Sequence, residues 1–511
     1  MNISLTIFKI ITSRNIFWLF SVLFISYVFF GLIFIEKVGG YDYWEHLAAI
    51  HSYYLNILHP ENPYILTQSP THLFTPYHFF WGGISKIINI HPYILLPVIG
   101  LCNIILYIYA ANKFCQHVIG DCKYTVLMIL TMLFFWFDPW GWSGFYDFSL
   151  LPVTAVYPYW FAMPLAMLVV ALYSEERDST FFILLIPVFS IVFLIHPLTG
   201  SFLIITTSVK IVLFKNKTRK QKTKILVTLP IALLLSFLWP YYPVLDTIIN
   251  SSKFVSLGFA GDYMAFYKPF FYKTFPALFG MIFIYTFIKK QDYFIVLCLF
   301  VFSSIYLLNY CMLHSFTIAR YVIYVVFFLH ILIVMGMKEY YGKKEFKFFV
   351  VSYFSILVVL APFHIHDSLK QIDNVVRAVI HKKPIIEQLN VDTFNRFIRM
   401  GDYIKSEDVV MASMEDSWKI PAILGCKVVG VLHSNPFMSD FFLRQKKTEL
   451  FFNKNTSNKT RVKILENYKV SYILLSKKTD NRDLTVIENT DYVYQDDKYI
   501  LMKFNQSRHK V

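Results

Sequence analysis

The chain has 511 residues and a formal net charge of +15, yet only 16% of its residues are charged, 56% are hydrophobic and 19% aromatic, with a mean hydropathy of +0.50. A soluble domain carries about 25% charged residues, so much of this chain has to face lipid. The basic excess does not point to nucleic acid: residues 364–511 hold 24 Lys/Arg against 18 Asp/Glu, and most of the remaining surplus sits in short turns between apolar segments, where cations set membrane orientation. Six cysteines without a C-x-x-C pair indicate neither a disulfide framework nor a zinc site.

The first apolar stretch, Ile16 to Ile35, follows Lys9 and Arg14 and leads into Glu36 and Lys37 rather than a small-residue cleavage site. It reads as an uncleaved anchor. A span needs about 20 mainly apolar residues. That ruler predicts eleven spans, near 16–36, 91–112, 124–138, 157–173, 181–195, 198–214, 225–241, 273–289, 292–310, 317–337 and 346–363. Phe74 to Ile90 is also apolar but carries Pro76, His78, Gly82, Gly83 and Lys86, and reads as a re-entrant or interfacial helix.

Eleven crossings from a cytoplasmic N-terminus leave the C-terminus outside. The cations agree: the turns at 215–224, 289–290 and 338–347 are rich in Lys and Arg, while 139–156, 196–197 and 311–316 contain none. The long outer loop 37–90 belongs with the membrane domain, residues 1–363. Residues 364–511 then form an extracytoplasmic α/β domain, with strands at 408–412, 427–431 and 470–475, a helix at 461–468 and a hairpin through 492–502. The expected fold is a polytopic α-helical membrane protein with a small α/β domain after the last span. High Ile, Lys, Phe and Asn content suggests an AT-rich bacterial genome and hence the bacterial plasma membrane.

Chemistry-bearing residues gather outside the first span. Gly39 and Gly40 release the chain, and a helical run from Asp42 to Leu58 sets Asp42, Glu45 and His46 on one face. Two carboxylates and an imidazole could deprotonate a hydroxyl or hold a cation, or could be the polar face of an interfacial helix. Prolines fix the following turns, and His72 and His78 could contact an anionic ligand or a metal, or simply pack. In the second outer loop Asp147 closes an aromatic, glycine-broken stretch suited to stacking on a sugar or to interfacial packing. His196 ends a span at His196-Pro197. Arg320 opens a late span, against the positive-inside bias; it either grips an anion such as phosphate in a bidentate fork or snorkels to lipid headgroups. Lys268 could add to an anionic site. The signatures of P-loop NTPases, zincins and serine hydrolases are absent.

This pattern resembles the GT-C superfamily of membrane glycosyltransferases, which includes protein mannosyltransferases, aminoarabinose transferases and oligosaccharyltransferases. The resemblance lies in the architecture, in Asp42 with Glu45 in the first outer loop, and in Arg320-Tyr321 at the head of a late span. It implies sugar transfer from a polyprenyl-phosphate-type donor to a glycan, lipid or protein acceptor. Asp42 or Glu45 would be the base and Arg320 would neutralise the leaving lipid phosphate. No adjacent Asp-Asp or Asp-Glu pair and no D-x-D follow in that loop, so a divalent cation is not assigned. Competing readings are a secondary transporter, whose ionisable residues belong near the midplane, and a lipid-linked glycan polymerase or ligase.

Overall fold

The computed structural model describes residues 3–34, 41–66, 70–141, 144–175, 179–249, 262–380, 391–431, 438–477 and 489–505. Gly39, Gly40, Trp142 and Ser143 lie outside them. The chain divides into two compact units, one of Met1–Ile35, Pro97–Trp239 and Asn250–His381, the other of Glu36–Leu96, Pro240–Ile249 and Lys382–Val511. This division differs from the expected cut at 363. The last apolar helix runs on to Ile380 without a break, and the first outer loop is grouped with the C-terminal domain rather than with the spans.

In the first unit every predicted span falls on a helix. Six helices are long and apolar enough to cross a membrane: Arg14–Ile33, Pro92–Ile119, Phe270–Lys289, Phe294–Leu313, Phe316–Tyr340 and Phe346–His366. Four shorter apolar helices are Cys122–Phe134, Tyr159–Tyr173, Phe181–Ile195 and Pro197–Val212. The segment predicted at 225–241 is the helix Arg219–Ser236, which starts earlier because Thr218 and Gln221 form a capping box. The protein is therefore an integral membrane protein with six helices of full spanning length among the described residues; the count of eleven remains an expectation from sequence.

The helical segment Phe316–Tyr340 lies at the centre of this unit, with 83% of its most apolar stretch buried. Close approach depends on glycine. A Cβ on Gly280 would collide with the Leu329 carbonyl and lie 3.0 Å from its carbonyl carbon, and one on Gly336 would enter the Phe283 ring. Small residues let apolar helices approach in this way. Gly280→Ala should cost about 1–3 kcal/mol, because neither backbone can yield. Gly141→Ala, whose Cβ would meet only Leu150 Cδ1 at 3.7 Å, is the matched control. Thermal midpoints in detergent measure both.

The turns sort by charge. Phe8 packs on Tyr341 and Phe346, Lys123 lies 5.9 Å from the Tyr341 ring, Lys338 bonds the Ile119 carbonyl, and Lys290 pairs with Glu339. These contacts bring the cation-bearing turns together at one end. Another set joins the cation-poor loops: Trp140 Nε1 donates to Ala265 O at 3.0 Å, Phe137 N to Lys273 O at 3.0 Å, and Asn309 Nδ2 to the Tyr267 hydroxyl at 2.9 Å.

The second unit contains a five-stranded sheet in the order β2-β1-β3-β5-β4, with β1 Val409–Met411, β2 Lys427–Val428, β3 Tyr472–Ser476, β4 Thr490–Gln495 and β5 Tyr499–Phe504. β1 runs parallel to β2 and β3, and β5 is antiparallel to β3 and β4. The helix Asn458–Asn467 feeds β3 as expected from sequence. Val409, Met411, Phe451, Leu465, Ile473, Met502 and Phe504 form the core on one face. β2 is an edge strand, and such edges need covering. The first-loop residues cover it: Val428 N donates to Tyr64 O at 2.9 Å, and the Lys427 ammonium donates to Asn62 O at 2.8 Å.

Candidate functional site

The site in the second unit is built on the helix Tyr41–Leu55, with Asp42 in its first turn. An acidic first turn is favoured by the helix dipole. A stacked row of Trp44, Tyr93 and Phe394, with centroids 6.2 and 4.4 Å apart, holds one side of this helix. On the other packs the helix Pro76–Ile88, where Gly82 lets the backbones approach so closely that a Cβ would strike Tyr53 and stand 2.8 Å from the Ile50 carbonyl oxygen.

Asp42 is half-buried, and Glu45 is buried, at 8% exposure. Both lie within electrostatic reach of Tyr64. Burial, reinforced by the charges of Glu45 and Asp42, holds the Tyr64 phenol well above its usual range. It is therefore a neutral hydrogen-bond donor. Its hydroxyl is buried and has no hydrogen-bond partner among the described residues. A buried phenol without a partner, within electrostatic reach of two carboxylates, is an orphaned polar group that calls for an explanation.

Behind the acids runs a hydrogen-bonded chain. His46 Nδ1 lies 3.0 Å from His78 Nε2, and His78 Nδ1 lies 2.8 Å from the Thr75 hydroxyl. Burial and the neighbouring His46 and His72 depress the His78 pKa well below its ordinary value, so the ring is neutral. A neutral imidazole donates through one nitrogen and accepts through the other. The Thr75 hydroxyl, which can donate or accept, thus sets which His78 nitrogen carries the hydrogen and how His46 is met.

Lys427 anchors the loop that leads into Tyr64. Its ammonium, on a residue 4% exposed, meets Glu61 at 3.2 Å besides the Asn62 carbonyl. Burial lowers its pKa, and Glu61 opposes that shift. Lys427→Met should cost about 1–3 kcal/mol by removing the donor to a buried carbonyl. Glu61→Gln, at a side chain 65% exposed, should cost under about 1 kcal/mol. Hydrogen exchange across residues 61–66 would rise only in the former.

The first unit gathers three further residues predicted from sequence. His196 Nδ1 accepts from Thr199 N at 3.2 Å and bonds the Thr199 hydroxyl at 2.7 Å, capping the helix Pro197–Val212. A neutral His196 therefore carries its proton on Nε2. The Tyr321 hydroxyl bonds Ser201 Oγ at 2.6 Å, the Tyr324 hydroxyl lies 3.4 Å from Thr199 Oγ1, and the Tyr159 ring stacks edge-on against His196. Arg320 acts electrostatically on both Tyr159 and Tyr324. His196, Arg320 and Tyr321 thus share one polar cluster.

Two predicted residues stand elsewhere. Asp147 closes its own turn, accepting from Ser149 N at 2.9 Å and Ser149 Oγ at 2.8 Å, with burial raising its pKa. Lys268 lines an apolar cavity of about 610 Å³ with Tyr267, Phe271, Tyr306 and Tyr310. Tyr64, Thr75, Thr199 and Ser201 were not foreseen. For Thr75 and Thr199 the usable signal was a hydroxyl three residues from a histidine. Among the described residues no three His, Cys, Asp or Glu side chains gather to hold a metal ion.

No protein-family model and no curated protein matches the chain. Solved structures do. The chain is similar to an archaeal oligosaccharyltransferase. That of Archaeoglobus fulgidus, tethered with an acceptor peptide containing the NVT sequon, superposes with a TM-score of 0.48 at 11% identity, over 91% of this chain and 69% of that one. The same enzyme in complex with Zn and sulfate gives 0.47 at 11% identity, over 89% and 67% of the two chains. A third structure, the A. fulgidus oligosaccharyltransferase AglB with an inhibitory peptide and a dolichol-phosphate, gives 0.47 at 11% identity, over 90% and 69%.

Proposed function

We propose that the chain is a GT-C-type glycosyltransferase of the bacterial plasma membrane. It moves a sugar from a polyprenyl-phosphate-type donor to a glycan, lipid or protein acceptor on the non-cytoplasmic face. The observation that carries this reading is that Asp42 and Glu45, on one helix, lie within electrostatic reach of Tyr64, whose buried hydroxyl has no partner among the described residues.

Asp42, the more exposed carboxylate, takes the proton of the acceptor group. The acceptor's electron pair forms a bond to the anomeric carbon as the bond from that carbon to the phosphate oxygen breaks. The lipid phosphate leaves with the electron pair, and Arg320 compensates the charge it gains. Glu45 and Tyr64 orient the acceptor, and the neutral His78 holds His46 in place through their hydrogen bond. His196 Nε2–H and Tyr321 serve the donor side. Asp42 and Glu45 would be the residues to hold a divalent cation if the reaction uses one, and no step is routed through it.

The test is release of sugar from a panel of polyprenyl-phosphate and polyprenyl-diphosphate donors by purified protein, with and without added Mn²⁺. Turnover of one donor by the wild type and its loss in Asp42→Asn support the reading. Solute movement across reconstituted vesicles with no donor consumed would overturn it in favour of a transporter.

A further inference from the structure

The cation-rich end of the first unit holds a second cavity, of about 580 Å³, that the proposed chemistry does not use. Its wall is apolar, formed by Phe17, Trp18 and Ile25 from the first long helix and Ile105, Ile108 and Tyr109 from Pro92–Ile119. Trp18, Ile105 and Tyr109 are 59%, 49% and 54% exposed, so the groove opens sideways, where an integral membrane protein meets lipid. Arg14 and Lys123 stand at its polar mouth with Ser13 and Asn112. Arg14 is exposed and has no ion pair among the described residues. Asp121 takes one side of the Lys123 ammonium at 2.8 Å, and an ammonium has three donors to place.

Two cations above an apolar slot between membrane helices match the chemistry of one ligand, an anionic phospholipid. Basic pockets between spans recognise lipid headgroups in this way. We propose that this groove is a binding site for an anionic phospholipid of the leaflet on the cation-rich side, with its phosphate between Arg14 and Lys123 and one acyl chain along Trp18 and Ile105. Guanidinium and ammonium select the charge, while the apolar wall selects a chain-bearing ligand over free phosphate.

Trp18 makes the site testable. The full-length protein is reconstituted in vesicles of brominated phosphatidylglycerol mixed with unlabelled phosphatidylcholine, and in the reverse mixture. The Trp18 signal is the difference from Trp18→Phe. Quenching of Trp18 should show phosphatidylglycerol preferred by about five-fold for each cation that contributes. The preference should fall toward one in Arg14→Gln/Lys123→Gln and persist in Arg14→Lys, which keeps the charge. Equal quenching by the two lipids, or an undiminished preference in the double variant, would overturn the site and leave only bulk lipid against the groove.

Discussion

Asp42→Asn should lower the rate of sugar transfer by about 10²–10⁴-fold, the usual contribution of a positioned general base, while donor binding stays nearly unchanged. Asparagine keeps the shape and the helix-terminal position of Asp42 but cannot take a proton. Glu45→Gln should act differently. Glu45 is buried beside Tyr64, so its loss misplaces the acceptor and raises KM along with lowering kcat. Arg320→Ala should cost about 10²–10³-fold in kcat, as removal of one charge-stabilising donor does. Arg320→Lys should recover only part of this, since an ammonium lacks the planar fork. Steady-state kinetics on the purified variants separate these outcomes, with thermal midpoints as the folding control. Wild-type kcat in Asp42→Asn would remove Asp42 from the chemistry and leave Glu45 as the candidate base.

The membrane part of the fold was legible because its signal is one-dimensional. A run of apolar residues between cations is visible in the sequence wherever it packs, and the predicted runs fall on helical segments, six of them long and apolar enough to cross a membrane. Charge patterning also grouped the turns, and Lys338, Lys123 and Lys290 do meet near one another through Ile119, Tyr341 and Glu339. The strands of the small sheet were legible by their β-branched runs, although β2 is shorter than expected, its ladder with β1 ending at Val428. The grouping of the first outer loop with the C-terminal domain was not legible. It rests on bonds between residues more than 300 positions apart, such as His51 to Ala422 and His91 to Ile423. No periodicity or local propensity encodes such contacts. In the site, helix spacing foretold that Asp42, Glu45 and His46 share a face. Tyr64 could not be foreseen, since its importance lies in burial against those acids.

Those two long-range bonds predict how the second unit fails in acid. His51 Nδ1 lies 3.0 Å from Ala422 O and His91 Nε2 lies 3.0 Å from Ile423 O, successive carbonyls at the end of the helix Lys419–Leu424. His91 Nδ1 accepts from Tyr93 N at 3.1 Å, which assigns its proton to Nε2 and makes the ring neutral. Burial lowers the His51 pKa from 6.5 to about 3, with His91 and Lys427 adding to the shift and the Ala422 carbonyl opposing it; burial lowers His91 as well. The unfolded chain therefore binds protons that the folded unit refuses. Stability is full above pH 6.5 and falls as pH drops toward 3. At pH 5 His51 alone should remove about 2 kcal/mol. Protection factors, with exchange corrected for its intrinsic pH dependence, should fall together in Tyr41–Leu55 and Lys419–Leu424 between pH 7 and pH 5, while those of Arg14–Ile33 and Phe316–Tyr340 in the first unit hold. His51→Asn retains a donor for the Ala422 carbonyl but cannot be protonated, so it should flatten the pH dependence. An unchanged acid response in His51→Asn would show that the clasp is opened by another group.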